Sequence, residues 1–141
     1  MTLVVPRLVG QALSGEPLTV YGDGQQTRCF CHVADVVRAL FGLVAEERAY
    51  GNVFNIGATA EISILDLAQL IIDVTDSKSE ISLIPYGEAY GEGFEDMYRR
   101  VPDTTKVREL IDWRPTRTLQ DVIQDVAAHQ GGVAPRVALA G

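Results

Sequence analysis

Residues 17–28 read PLTVYGDGQQTR, and this stretch contains the local signals that decide the fold. Its β-branched and aromatic side chains predict a strand over 18–21, and Gly22-Asp23-Gly24 predicts a tight turn after it. A second short strand is predicted over 28–33. Because the turn leads into a strand and not into a helix, it lacks the context of a dinucleotide-binding glycine loop.

Helical periodicity recurs on both sides of this stretch. Apolar residues at helical spacing, several with a capping residue ahead of them, predict five helices. Their ranges are 2–14, 35–47, 64–74, about 103–112, and a last helix that Thr118 caps. Apolar runs at 53–56 and 81–84 predict strands, the first one buried on both faces. The pattern is that of an α/β protein with short strands and about five helices.

The composition excludes several classes of protein. The chain has 141 residues, 47% of them hydrophobic, and a net charge of −7. This balance is typical of a globular domain, and the acidic charge argues against a nucleic-acid partner. No apolar run is long enough to cross a membrane, and the amino terminus does not resemble a secretory signal. Two cysteines supply no disulfide framework, so we expect a cytoplasmic protein.

Few side chains suggest catalysis or metal binding. Cys29, Cys31 and His32 are possible metal ligands, but on a strand the cysteines and the histidine would face opposite sides, so we expect no metal. His129 near a helix end is best explained by the charge preference of that end. Residues 86–98 predict a loop that orders on a ligand, and its carboxylates are better explained as solvated charge than as acid–base groups.

Arginines in acidic surroundings are the stronger signal. Arg28 follows the glycine turn, and Arg99 and Arg100 follow the acidic loop. Guanidinium groups match phosphate oxygens bidentately, so these arginines are candidates for an anion clamp. The alternative is pairing with neighbouring carboxylates at 95, 96 and 103, and spacing by itself leaves both interpretations open.

Four blocks of sequence, in order, indicate a known family. They are residues 17–28 with Phe30, His32, Val33, Asp35 and Val36; residues 53–57; residues 100–103 with Lys106; and residues 110–115 leading to Leu119. Together they resemble the C-terminal substrate-binding portion of NAD-dependent nucleotide-sugar epimerases and dehydratases, the extended short-chain dehydrogenase/reductase family. The resemblance covers residues 3 to about 128.

This resemblance implies a site for a nucleotide-diphosphate sugar. Family members clamp the diphosphate with arginines at the positions of Arg28 and Arg100. The strand that carries Thr19 and Tyr21 lies against the base, and the residue at Asp103 can bind a ribose hydroxyl. The resemblance also implies a nucleotide-sugar-binding domain over 1–130, and the Gly-, Ala- and Pro-rich residues 131–141 predict a flexible tail.

The family's cofactor signature is not in this sequence. The glycine-rich strand–turn–helix motif and the Tyr-x-x-x-Lys pair are both missing from the chain. NAD is therefore implied for the parent family, while we expect this chain alone to bind no cofactor and to carry no catalytic residue.

Two classes of function stay open. The first is the nucleotide-sugar-binding portion of an epimerase/dehydratase-like protein. The second is a non-enzymatic interaction module that keeps the fold and forms dimers. The apolar helix predicted over 35–47 favours a homodimer or pairing with a missing dinucleotide-binding half. The sequence distinguishes neither the sugar and base nor epimerisation, dehydration and decarboxylation.

Overall fold

Five α-helices and four short strands make up the part of the chain that the computed structural model describes, residues 3–85 and 97–131. In chain order they are α1 (Val4–Ser14), β1 (Leu18–Tyr21), β2 (Thr27–Cys29), α2 (Val33–Val44), β3 (Glu61–Ser63), α3 (Ile64–Thr75), β4 (Ile81–Ile84), α4 (Thr105–Ile111) and α5 (Leu119–Gln130), with a 3-10 turn at Glu47–Ala49. The predicted α/β class is confirmed.

The strands form two small sheets. β1 pairs in parallel with β4, with Leu18 opposite Ile81, and α3 lies in the connection between them. β2 pairs antiparallel with β3, with Arg28 opposite Ile62. A parallel bridge between Thr27 and Arg99 adds the segment after residue 96 to the edge of β2.

The larger hydrophobic core lies between α1, α3 and α5 and the β1–β4 pair. Its buried residues come from all of these elements except β4, whose Ile81 packs against the cluster from a partly buried position. They are Val5, Leu8, Val9, Ala12, Leu18, Val20, Ile64, Leu67, Ala68, Ile71 and Ile123. At Gly24 (φ +71°) a side-chain carbon would meet Val20 at 2.8 Å, so the turn after β1 requires glycine against this core.

A smaller cluster joins α2 to α4 through Ala39, Val107 and Trp113. The Asp35 side chain supports it from below, because its carboxylate accepts hydrogen bonds from Arg38 and from the backbone N–H groups of Thr116 and Arg117. Burial alone would raise the pKa of Asp35, but these hydrogen bonds lower it to about 2. The carboxylate is therefore ionised and holds residues 116–117 against α2, while the Asp35 backbone carbonyl accepts from Trp113 Nε1.

The predicted helix starts are confirmed at α3 and α5. The Ser63 hydroxyl accepts a hydrogen bond from the Asp66 N–H, and Thr118 and Asp121 form a complete capping box. α2 begins with a less usual cap, because Nδ1 of His32 accepts from the Ala34 N–H at 3.1 Å.

The prediction of a buried strand over 53–56 is wrong. Val53 is 82% exposed, and no described strand pairs with this run. Lys106 stands in for a neighbouring strand, because its Nζ donates to the Val53 carbonyl at 3.0 Å and lies 4.8 Å from the Phe54 ring. A side chain thus satisfies a carbonyl that a strand ladder would otherwise use.

Two predicted boundaries are also corrected. The strand predicted over 28–33 ends at Cys29, because His32 is already the cap of α2. The helix predicted to reach Glu47 ends at Val44, and Glu46 caps a separate 3-10 turn by accepting from the Arg48 N–H. The predicted ligand-ordered loop falls largely on 86–96 and the predicted tail almost entirely on 132–141, both outside the described residues.

Among the described helices, none combines the length and the apolar character that spanning a bilayer requires.

Candidate functional site

A cleft of about 1120 Å³ opens where the start of α1, the ends of β1 and β2, and two extended segments meet. Its lining residues are Leu3, Val4, Arg7, Tyr21, Gln26, residues 28–31, residues 54–58, Ile64, Met97 and residues 100–102. This volume slightly exceeds the range that small-molecule sites usually occupy, about 300–1000 Å³. The cleft can therefore hold a ligand of nucleotide-sugar size.

Two predicted clamp residues, Arg28 and Arg100, both line this cleft. The parallel bridge between Thr27 and Arg99 makes the next residue on each segment a neighbour in register. Adjacent strands lie about 4.8 Å apart, so two guanidinium-bearing residues start from neighbouring backbone positions. A cleft with two such cations favours an anion carrying more than one negative charge.

The segment that carries Arg100 is tied to β2 and to the glycine turn. The Thr27 N–H donates to the Tyr98 carbonyl at 2.8 Å, and Arg28 Nη1 donates to the Met97 carbonyl at 2.7 Å. The Tyr98 hydroxyl donates to the Asp23 carboxylate at 2.8 Å. Hydrogen bonds from the Gln25 N–H and from this hydroxyl lower the pKa of Asp23, and the bond to Asp23 raises the pKa of Tyr98. The glycine turn thus anchors the neighbouring segment.

Arg99, in contrast, forms an ion pair. Its Nε and Nη2 donate to the two carboxylate oxygens of Glu61 at 2.9 and 2.7 Å. These bonds, with one from the Thr27 hydroxyl at 2.8 Å, lower the pKa of Glu61. Carboxylates at 95, 96 and 103 were the alternative partners that the sequence left open for the arginines, and 95 and 96 lie outside the described residues. The described partner of Arg99 lies 38 residues away on β3.

Tyr21 lines the cleft at the end of β1, and Arg7 of α1 lies over its ring, 4.6 Å from the centroid. Thr19 does not line the cleft. Its backbone carbonyl and hydroxyl accept from Arg7, and its N–H donates to Gln11. Thr19 therefore contacts the cleft residue Arg7 but does not itself line the cleft.

Asp103 is likewise outside the cleft lining. Its carboxylate accepts from the Thr105 N–H at 2.9 Å, which lowers its pKa, and its carbonyl accepts from Asn55 at 3.2 Å. Asn55 itself lines the cleft. The structure thus brings Tyr21, Arg28 and Arg100 together and sets Thr19 and Asp103 beside them.

Sequence reasoning missed Arg7 and Asn55 as cleft residues. Arg7 interrupts the apolar pattern of a helix that is otherwise packed on the core, which is a usable signal. Asn55 falls inside the run that was interpreted as a buried strand, so its amide was not considered.

The candidate metal ligands have structural roles. The thiols of Cys29 and Cys31 are free and partly buried, and burial raises the pKa of both. Nε2 of His32 hydrogen-bonds to Asp125 at 2.8 Å, and its Nδ1 caps α2 by accepting from the Ala34 N–H. Within residues 3–85 and 97–131, no group of three His, Cys, Asp or Glu side chains is arranged to hold a metal ion.

The described residues do not fit a dinucleotide. The turn over Gly22-Asp23-Gly24 leads into β2 and not into a helix. The N-terminus of α3 does lie against this turn, but its Leu65 N–H donates to the Gly24 carbonyl at 3.0 Å, so that group is not left to receive a pyrophosphate.

Comparison with known proteins assigns the family. The family model described as GDP-mannose 4,6 dehydratase matches residues 1–126. The chain belongs to this family. The resemblance to NAD-dependent nucleotide-sugar epimerases and dehydratases is thereby confirmed.

Several relatives of this dehydratase-family chain have names that specify a nucleotide-sugar substrate. A UDP-N-acetyl-alpha-D-glucosaminuronate decarboxylase from Bacillus cytotoxicus is 43% identical over 112 residues, which are 79% of this chain and 35% of that protein. A solved UDP-glucose 4-epimerase from Thermotoga maritima, with UDP-glucose, has a TM-score of 0.79 and 28% identity over 93% of this chain and 40% of its own. A dTDP-glucose 4,6-dehydratase from Bacillus anthracis, solved with NAD, has a TM-score of 0.77 and 25% identity, covering 92% of this chain and 39% of its own. The chain thus spans 35–40% of the length of these relatives.

Proposed function

We propose that this chain binds the nucleoside diphosphate of a nucleotide sugar in the cleft between β1, β2 and residues 97–102. The observation that carries the proposal is the pair Arg28 and Arg100, which line one cleft from neighbouring positions of a parallel bridge. In a chain of net charge −7, a concentrated pair of cations selects for an anionic ligand. Each guanidinium matches a phosphate oxygen pair.

Tyr21 supplies the aromatic surface for the base at the end of β1, with Arg7 holding its ring from the α1 side. UDP and dTDP are the nucleotides favoured, since the decarboxylase and epimerase relatives are named for UDP sugars and the dehydratase for a dTDP sugar. Direct ligand contact by Thr19 and Asp103 stays a prediction, because both groups are hydrogen-bonded within the chain.

Calorimetric titration with UDP-glucose, dTDP-glucose and GDP-mannose tests the proposal. Arg28→Ala and Arg100→Ala are each expected to weaken binding by about 10- to 150-fold, because a hydrogen bond to a charged group contributes about 1.5–3 kcal/mol. Arg48→Ala is the matched control, since Arg48 forms an exposed ion pair with Glu46 away from the cleft. Unchanged affinity in both cleft variants would overturn the clamp.

Titration with NAD separates this proposal from a complete dehydrogenase. No heat of binding is expected at micromolar NAD, because the glycine turn of the described residues leads into β2 and not into a helix whose N-terminus could hold the pyrophosphate. The proposed site of action is the cytoplasm, whose reducing conditions keep thiols such as Cys29 and Cys31 free.

We also propose that two copies associate through α2. Five apolar side chains, Val33, Val37, Leu40, Phe41 and Val44, recur at helical spacing on one face and are all exposed. Phe41 is 73% exposed, and a contiguous apolar stripe of this kind marks an interaction surface. A self-complementary contact between two such helices covers it symmetrically.

Light scattering at micromolar concentration tests the association, with twice 15.3 kDa as the expected mass. Phe41→Glu should give the monomer, whereas Leu13→Glu, at an exposed leucine of α1, should leave the dimer intact. A wild-type monomer overturns the homodimer, and if it also binds a separate dinucleotide-binding half, that half is the occupant of the stripe. A stable dimer without nucleotide affinity would favour the non-enzymatic interaction module.

A further inference from the structure

We infer that Glu61 is a positioning residue that aims both clamp arginines into the cleft, an inference that rests on the proposed diphosphate site. Glu61 is the residue of β3 whose side chain contacts both β2 and the segment after residue 96. Its side chain is 29% exposed and lies outside the cleft lining. It therefore acts on a bound ligand through other residues.

One carboxylate holds the two residues that immediately precede the clamp arginines. Its Oε1 accepts from the Thr27 hydroxyl at 2.8 Å and from Arg99 Nε at 2.9 Å, and its Oε2 accepts from Arg99 Nη2 at 2.7 Å. Thr27 precedes Arg28, and Arg99 precedes Arg100. The same group thus fixes both segments at matched positions.

The geometry of extended backbone converts this contact into a direction. Successive side chains of an extended segment point to opposite sides. Thr27 and Arg99 contact Glu61 on one face of the paired segments, so Arg28 and Arg100 start from the opposite face, and both line the cleft. The cleft also reaches Cys29 on the Glu61 face, so the alternation sets the direction of the two arginines and not the whole lining. The bridge between Thr27 and Arg99 keeps the two segments in register while this happens.

Glu61 also separates the three arginines by role. Its bidentate pair neutralises Arg99, which does not line the cleft, whereas Arg28, Arg100 and Arg7 do. Without Glu61, Arg99 would be released to compete for the same anion, and the position of Arg100 would no longer be fixed by its neighbour.

The sign of the effect on affinity distinguishes positioning from simple electrostatics. Removing a negative charge near an anion site would strengthen anion binding if Glu61 acted through its charge alone. If Glu61 positions the clamp, Glu61→Gln weakens UDP-glucose binding by about 3- to 30-fold, which lies within the range of coupling found in one hydrogen-bond network. Glu46→Gln is the matched control, because Glu46 forms an equally bidentate pair with Arg48 outside the cleft.

The experiment is a double-mutant cycle in which phosphorus NMR titration with UDP-glucose measures the affinity of each variant, because this method detects weak binding. Glu61→Gln should weaken binding in the native background and have a smaller further effect when Arg100→Ala is present, since one of the two contacts that Glu61 positions is then already lost. The exchanged pair, Glu61→Arg with Arg99→Glu, should recover part of the lost affinity. Thermal unfolding of each variant shows that the fold is retained.

The outcomes separate this inference from the proposal beneath it. If Arg28→Ala and Arg100→Ala both leave affinity unchanged, the diphosphate clamp itself is wrong. If Arg100→Ala weakens binding but Glu61→Gln leaves it unchanged or strengthens it, the clamp stands and the positioning role is wrong. An additive loss in the double variant, without recovery by the exchanged pair, likewise overturns the positioning role.

Discussion

The two hydrophobic clusters of this chain differ in how completely they are covered. The larger one is enclosed by α1, α3 and α5 and the β1–β4 pair, and its central leucines and isoleucines have no exposed surface. The smaller one packs a single face of α2 against α4 and Trp113, while the other face of α2 stays exposed. The first cluster is closed to solvent, whereas the second leaves exposed the face of α2 through which we propose that two copies associate.

The largest expected effect is in the enclosed cluster. Leu67→Ala should lower the free energy of unfolding by about 2–5 kcal/mol, because it leaves a cavity among residues that cannot collapse into it. Urea denaturation followed by circular dichroism measures it. A loss below about 1 kcal/mol would show that this cluster is no better packed than the α2 region.

Asp35 tests how strongly the smaller cluster is held. Asp35→Asn should lower the free energy of unfolding by about 2 kcal/mol at neutral pH, since a folded-state pKa of about 2 against an ordinary 3.8 corresponds to that energy. Because the folded-state pKa is lowered, this stability is present above about pH 4 and is lost as the pH falls toward 2. The difference between wild type and variant should therefore shrink over this interval. A constant difference would contradict the ionised carboxylate.

Helix capping gives a smaller effect in the enclosed cluster. Thr118→Ala removes the capping box of α5 and should cost about 1 kcal/mol. Thr118→Ser, which keeps the hydroxyl, is the matched control and should stay close to wild type in the same denaturation experiment. Equal losses in both variants would assign the effect to the methyl group.

Val53 should give the smallest effect. Val53→Ser is expected to change the free energy of unfolding by less than about 0.5 kcal/mol, because the side chain is 82% exposed. A loss above about 1.5 kcal/mol would show that this run is covered, as the sequence pattern predicted.

Local signals were sufficient for the elements whose causes are local. The strand at β1, the glycine turn after it, and the caps Ser63 and Thr118 all follow from residues within four positions of one another, and the structure has each of them. Two of the three cleft arginines, Arg28 and Arg100, were also found from sequence, because a resemblance in ordered blocks singled out their positions.

Tertiary structure decided the features that depend on distant partners. Residues 53–56 have the composition of a buried strand, but a strand needs a neighbour, and here Lys106 takes the Val53 carbonyl instead. Thr19 fits the base-binding strand by sequence, yet Arg7 and Gln11 hold it behind the cleft.

The arginine pair shows the same division most clearly. The sequence by itself determined that Arg99 and Arg100 stand next to each other after an acidic stretch, and pairing with a nearby carboxylate was as reasonable as anion binding. Only the fold brings β3 alongside, so that Glu61 neutralises Arg99 and Arg100 lines the cleft. An ion pair depends on distance in space, and a separation of 38 residues along the chain gives no indication of it.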